Sequence, residues 1–223
     1  MIARLFDLIF AGGAVVILSP VFLLASIGIR LSSPGPILYR AKRVGQDGKL
    51  FTMYKFRSMH LHKPGNRSRI TSADDPRVFP FGVWLRFLKI DELPQLFNII
   101  KGEMSVVGPR AEDPIIVEKH YRPEHYETLK MPPGLASPGS IFNYTHGERI
   151  LKDGDAEAIY VSRLLPIKLA LDRAYIRKAS FAYNIRIILR TSYVILSKMA
   201  GRQNFADPPE MALATRLLSN DNV

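Results

Sequence analysis

The sequence predicts an α+β protein, a small and mostly helical domain with a short sheet and a membrane helix at its N-terminus. Three observations predict it. Residues 8–29 contain no charge. Residues 37–56 read as two short strands around a turn. Apolar residues recur at spacings of three and four in 93–100 and again in 164–200, the mark of helical faces. The chain divides accordingly into a membrane element (1–31), a folded cytosolic domain (32–200) and a C-terminal tail (201–223).

The length, 223 residues, suits one domain with a real core, or a small domain plus a membrane element. There is no cysteine, which excludes disulfides and thiolate metal sites and fits a cytosolic face. The formal net charge of +11 suits nucleic acid, anionic headgroups or phosphorylated substrates. No basic run alternates with aromatics as in a nucleic-acid platform, so nucleic acid is not an expected partner. Membrane lipids and phosphate are.

Taken in order, the uncharged run is long enough, at about 1.5 Å per residue, to cross a hydrocarbon core of roughly 30 Å. Ser19-Pro20 lies near its middle, and proline there removes a backbone hydrogen bond and kinks the helix. Arg4 and Asp7 precede the run; Arg30, Arg40, Lys42 and Arg43 follow it. Two topologies fit: a span with its N-terminus outside, or a re-entrant helix with both ends inside.

Residues 32–36 are loop by composition. Residues 37–40 and 50–56 read as strands joined by the turn 46–49. Lys55 and Arg57 leave the second strand together and, on their own, read as solvated edge charges. The polar stretch 60–80 reads as a loop over or beside a site. Its Asp74-Asp75 precede a proline, as turn acids commonly do, and are left out of the site. A short helix at 81–88 carries Arg86, five positions before Asp91.

Asp91 and Glu92 stand at the start of a helical pattern in which Leu93, Leu96, Phe97 and Ile100 share one face. Pro94 is tolerated because first-turn amides have no intrahelical partner to lose. Alone, the acid pair reads as an ordinary helix cap. Ser105, Val106 and Val107 form a short apolar strand, and Gly108-Pro109-Arg110 then presents a guanidinium whose fork matches phosphate oxygens. Glu112 is a lesser candidate, and His146 reads as exposed surface. Residues 164–200 form one strong helix with Ile185, Ile188, Leu189, Ser192, Tyr193, Ile195 and Leu196 on a broad face and Arg177, Lys178, Arg186, Arg190 and Lys198 as cations. It either packs on the core or lies at headgroup level. The tail reads as mobile or as a contact for a partner chain.

Five strings occur in one order: 32–36 (SSPGP), 43–45 (RVG), 51–59 (FTMYKFRSM), 91–96 (DELPQL) and 105–110 (SVVGPR). This set resembles the monotopic bacterial phosphoglycosyl transferases, the bacterial sugar transferase family, from residue 1 to about 135. The resemblance implies a re-entrant helix broken at Ser19-Pro20, interfacial amphipathic helices, and a place on the cytoplasmic face of the bacterial inner membrane. It implies transfer of a sugar-1-phosphate from a UDP-sugar to polyprenol (undecaprenyl) phosphate with release of UMP, the first step of surface glycan assembly. It implies Asp91 as nucleophile, forming an aspartyl phosphosugar, with Glu92 and Asp91 holding Mg²⁺. Lys55, Arg57, Arg86, Pro109 and Arg110 then border the phosphates or nucleotide. Two departures stand out. Ala111 replaces the family's second proline, and 136–148 lacks the usual run to Asn-Gly-Arg, so the sugar is not carried over. A metal-dependent nucleotide-sugar hydrolase and a non-catalytic membrane scaffold are the rival readings, and a homodimer is compatible with the sequence.

Overall fold

The computed structural model describes residues 2–61, 75–151 and 155–221. Most of the polar loop expected at 60–80, Asp74 included, lies outside the described residues. Helices α1 (Ile2–Ile17) and α2 (Ser19–Ser32) meet at a bend of 60°. Ser19 and Pro20 open α2, and the Ser19 hydroxyl donates back to the Val16 carbonyl at 2.8 Å. The expected kink is therefore present at the expected residues. Among the described residues no single helix is long and apolar enough to cross a membrane. The bent pair together has the length and composition of a broken span or a re-entrant loop. Ile9, Val16, Ile17, Leu23, Leu24 and Leu31 are exposed along it.

The start of α1 is tied to the folded domain by its only charges. Arg4 donates to the carbonyls of Ile99 (2.5 Å) and Ile100 (2.8 Å), and buried Asp7 accepts from the Ser105 hydroxyl and the Val106 amide, each at 2.9 Å. The predicted hairpin follows: β1 (Leu38–Val44) and β2 (Leu50–Phe56) are antiparallel, with Leu38 opposite Phe56. Its turn uses positive φ at Asp47 (55°) and Gly48 (76°); glycine adopts that conformation without a Cβ clash, and aspartate tolerates it.

Next come α3 (Pro80–Phe87), α4 (Gln95–Lys101), β3 (Ser105–Val107), α5 (Pro114–His120) and β4 (Gly134–Ala136), which pairs parallel with β3. Asn98 of α4 joins helix to hairpin. Its carbonyl oxygen accepts from the Tyr54 amide (3.0 Å), and its amide nitrogen donates to Thr52 O (2.8 Å). The inward face of α4 is not the expected one. Leu96 and Ile99 are buried with Gln95 and Asn98, while Phe97 and Ile100 are exposed and Leu93 is half-buried. Periodicity alone cannot tell a face buried in protein from one turned toward the apolar surface of the bent helix pair, where Phe97 meets Phe22 edge-on at 5.8 Å.

The C-terminal half consists of α6 (Pro138–Phe142), α7 (Glu148–Ile150), α8 (Ala156–Ile159), α9 (Leu165–Ile176), α10 (Phe181–Met199) and α11 (Met211–Asn220). The single helix expected over 164–200 is two. Helix α9 is the core helix, buried along most of its length, whereas α10 turns Leu189, Tyr193 and Leu196 to solvent and buries Ile187 and Val194. Ser180 makes the break by capping α10, its hydroxyl accepting from the Tyr183 amide at 3.2 Å. The tail carries a helix of its own. Helix α11 packs on α9 through fully buried Ala214 and Leu217, and Asp221 pairs with Arg173 at 2.5 Å.

Candidate active site

Asp91 and Glu92 lie in a 3₁₀ turn (Ile90–Glu92) between α3 and α4 rather than in the first turn of α4. Lys89 makes this geometry by adopting φ 58°, ψ 16°, a left-handed conformation unfavourable to a lysine. The chain thereby reverses sharply after α3 and drives both carboxylates inward, where both are buried.

Glu92 is surrounded by cations. Its Oε1 lies 2.7 Å from Arg110 Nη2, 3.2 Å from Lys55 Nζ and 3.9 Å from Lys89 Nζ, and its Oε2 accepts a longer bond of 3.4 Å from Arg110 Nη1. Burial alone would raise this carboxyl's pKa. Arg110, Lys55 and Lys89 outweigh burial and hold it well below the usual carboxylate range. Asp91 goes the other way. Burial pushes it above its ordinary value, Glu92 adds to that, and Lys55, Lys89 and Arg86 oppose it. Its Oδ1 is enclosed and has no hydrogen-bond partner among the described residues. The two neighbours therefore differ: Glu92 is held by cations mainly through Oε1, while Asp91 keeps an oxygen without a partner among the described residues. Burial also lowers the Lys55 ammonium, despite Glu92, while Glu92 raises Arg110.

Arg110 reaches Glu92 from a turn built by close backbone approach. Gly108 donates to Ala136 O at 3.0 Å and Gly134 donates to Pro109 O at 2.8 Å. A Cβ on Gly134 would sit 2.0 Å from the Gly108 nitrogen. The Arg110 amide donates to Asp172 Oδ2 (3.2 Å) on α9, whose Oδ1 accepts from Gly139 N (2.8 Å), so the turn is tied to α9 next to Ala111.

Five of the residues expected at the site, Lys55, Asp91, Glu92, Pro109 and Arg110, are brought together here. Arg86 faces it from α3 and acts on Asp91 through charge. Arg57 does not join them. It is buried and donates to Pro36 O (2.6 Å), Ser33 Oγ (2.8 Å), Ser33 O (2.7 Å) and Pro34 O (3.1 Å). It clamps the loop after α2 onto the end of β2.

Several participants escaped the sequence reading or, as with Glu112, stood in it only as a lesser candidate. Asp172 and Lys168 sit in what read as an amphipathic helix. Glu112 is buried and accepts from Lys168 Nζ at 3.1 Å and from the Tyr160 hydroxyl, directly behind the Arg110 turn. Gln95 is almost wholly enclosed, and neither end of its amide has a partner among the described residues. A buried amide one turn from the acid pair was the available signal, hidden because glutamine suits any helix. The divergent segment reaches the edge of the site through Tyr144, whose ring lies under Lys89 Nζ at 4.4 Å. His146 is half-buried, not exposed, and stacks on Phe142 with ring centroids 4.6 Å apart.

Mg²⁺ favours one or two carboxylates plus substrate phosphates. The orphaned Asp91 Oδ1 and the lightly engaged Glu92 Oε2 fit that donor set. Glu124, His125 and Asp221 also cluster at metal-ligand spacing. They do not suit a metal: His125 Nδ1 accepts from the Arg122 amide at 3.1 Å, which leaves the proton of the neutral ring on Nε2, and Asp221 is taken by Arg173.

A family model described as bacterial sugar transferase matches residues 1–198. A UDP-glucose:undecaprenyl-phosphate glucose-1-phosphate transferase of Xanthomonas campestris pv. campestris is 34% identical over 86% of this chain and 38% of its own length. A UDP-N-acetylgalactosamine-undecaprenyl-phosphate N-acetylgalactosaminephosphotransferase of Aeromonas hydrophila is 32% identical over 90% of this chain and 45% of its own length. The exopolysaccharide production protein PSS of Rhizobium leguminosarum bv. phaseoli is 31% identical over 90% of this chain and 98% of its own length. The chain thus spans less than half the length of the first two relatives and nearly all of the third.

Proposed function

This chain belongs to the bacterial sugar transferase family, and from that premise we propose that it transfers a sugar-1-phosphate from a UDP-sugar to undecaprenyl phosphate. The observation that carries this reading is the contrast within the acid pair, a buried Asp91 oxygen without a partner beside a Glu92 held by three cations.

Asp91, as the carboxylate, attacks the phosphorus that bears the sugar. A new oxygen–phosphorus bond forms, the bond to the UMP oxygen breaks, and UMP leaves with the electron pair. An oxygen of undecaprenyl phosphate then attacks the aspartyl phosphosugar and restores the Asp91 carboxylate. Splitting one encounter of two anions into two steps is the advantage of the covalent route. Glu92 fixes Lys55 and Arg110 so that their remaining N–H groups meet the diphosphate at set positions, as electrostatic stabilisation requires. Asp91 and Glu92 would hold Mg²⁺, which when bound neutralises diphosphate charge and eases departure of UMP.

The membrane part of the reading is re-entrant, on the cytoplasmic face. Support comes from both ends of the bent helix pair. Arg4 and Asp7 bind α4 and β3 at one end, and Arg30 donates to Gly35 O (3.0 Å) beside the Arg57 clamp at the other. Two ends bound to one domain suit a helix that enters and leaves on the same side. An impermeant thiol reagent should leave Ala3→Cys unlabelled in intact cells; labelling from outside would reverse this assignment.

The sugar stays open, because relatives named for glucose and for N-acetylgalactosamine are about equally similar. Intact mass after exposure to Mg²⁺ and a panel of UDP-sugars, without acceptor, tests the chemistry and names the sugar. An adduct of one sugar phosphate, absent in Asp91→Asn, is expected. UMP release retained by Asp91→Asn would refute the nucleophile. Sustained UMP release without undecaprenyl phosphate would favour hydrolysis instead.

A further inference from the structure

The left-handed Lys89, at the reversal that precedes the acid pair, gains nothing from its own conformation. A residue of this kind persists only where its surroundings fix it. Two contacts of the surroundings come from one side chain, Tyr144. Its hydroxyl donates at 2.9 Å to the carbonyl of Phe87, in the last turn of α3, where carbonyls have no partner within the helix. Its ring lies 4.4 Å from Lys89 Nζ, within cation–π range. Tyr144 thus holds the reversal at both 87 and 89. The ammonium it holds is the one that lies 3.9 Å from Glu92 Oε1.

Tyr144 is itself fixed. It stands in a π-helical turn (Asn143–Gly147) that continues α6, and such turns recur at functional sites. The next residue, buried Thr145, bonds back to Ile141 O at 2.9 Å, and His146 stacks on Phe142. Lys198, in the last turn of α10, donates to the Tyr144 carbonyl at 2.8 Å and lies 4.3 Å from the ring. The segment 136–148, where the chain departs from the family pattern, is therefore joined to the acid pair through this side chain. We propose that Tyr144 is a positioning residue, which holds the reversal at Phe87 and Lys89 and so aims Asp91 and Glu92. It touches no reacting atom. Without the ring, the Lys89 ammonium turns to water and the backbone relaxes toward the right-handed region, which moves both carboxylates. The inference rests on the reaction proposed above only in that UMP release reports the aim of Asp91.

Steady-state UMP release with saturating undecaprenyl phosphate tests it. Tyr144→Leu should lower kcat about tenfold, the weight of one partly enclosed cation–π contact, while KM for the UDP-sugar moves less than about twofold. Tyr144→Phe keeps the ring and loses only the bond to Phe87 O, so kcat should stay within about threefold of wild type. Lys89→Gly adopts positive φ without a Cβ penalty and has no ammonium to hold. In that background Tyr144→Leu should add less than about twofold. A loss undiminished by Lys89→Gly, or as large in Tyr144→Phe as in Tyr144→Leu, overturns the inference. Labelling by an amine-reactive reagent, read by peptide mass spectrometry, needs neither UMP release nor a folded leucine variant. In wild type, Lys89 should react several-fold more slowly than Lys49, exposed in the hairpin turn; equal rates overturn the hold on Lys89. A wild type that releases no UMP with any donor refutes the proposed reaction, and the labelling then decides the role of Tyr144.

Discussion

Arg57 separates two accounts of one residue. The family resemblance puts it against phosphate, whereas its guanidinium is spent on four bonds to Ser33, Pro34 and Pro36. Arg57→Lys distinguishes them, because lysine keeps the charge but its compact ammonium cannot reproduce the planar fork. Lysine can serve one of the four acceptors, so three bonds are lost. At about 1 kcal/mol net for each buried bond, the variant loses about 3 kcal/mol, and at about 2–4 °C per kcal/mol for a chain of this size Tm falls by about 6–12 °C. The assay pairs thermal unfolding in detergent with single-turnover UMP release well below Tm. A clear fall in Tm with UMP release within a few-fold of wild type is the expected result. An unchanged Tm with UMP release collapsed by about 100-fold, the scale of a misplaced catalytic contact, would refute the clamp and return Arg57 to the phosphate.

Three further outcomes follow from the same geometry. Burial pushes the Glu112 carboxyl up, but Lys168, the Tyr160 hydroxyl and the Asp113 amide outweigh it and hold it below its ordinary 4.5. A depressed folded pKa contributes stability that is present above 4.5 and lost as pH falls through the folded value. Tm of wild type should therefore fall below pH 4.5 more steeply than Tm of Glu112→Gln, and parallel curves would count against it. Gly134→Ala, whose Cβ meets the Gly108 nitrogen at 2.0 Å, should displace the Arg110 turn and lower UMP release by at least about 100-fold; Gly12→Ala, with open space around its Cβ, should be silent. Asp172→Asn keeps the shape but has one acceptor oxygen for two amides, those of Arg110 and Gly139. It should lower kcat about tenfold through a misplaced guanidinium, at a loss of about 1–3 kcal/mol for the unpaired amide, and an unchanged kcat would show that the turn holds itself.

Local rules made much of this legible. The uncharged run 8–29 and the Ser19-Pro20 break located the bent helix pair, and two strand-like runs around the turn 46–49 located the hairpin. The acid pair and Gly108-Pro109-Arg110 were visible because several rare strings occurred in one order. What stayed hidden depends on tertiary neighbours. Helices α9 and α10 read as one because the break at 177–180 has no proline or glycine, only the Ser180 cap. Lys168, Asp172 and Arg173 draw no notice within the stretch that reads as one amphipathic helix, because sequence does not show that they find buried partners. The family resemblance places Arg57 at the site; on its own it reads as a solvated edge charge. Residues two apart share one side of a strand, but β2 ends at Phe56, and Arg57, just beyond it, turns to the loop while Lys55 holds Glu92.

These attachments join the bent helix pair to the geometry of the acid pair. Arg4 binds the carbonyls of Ile99 and Ile100, so the same short helix has the acid pair just before it and an anchor for α1 at its last turn. Asp7 binds the strand that leads directly into Gly108-Pro109-Arg110, the turn that carries the second half of the charge pairing. Arg57 closes the opposite end of the helix pair onto the strand that carries Lys55. Each element that positions Glu92 is thus bonded, within about one or two helical turns, to an end of the bent pair. Under the proposed disposition, a bilayer that sets the height of that pair also sets the height of Asp91, so that the acceptor phosphate and the nucleophile meet at the headgroup level.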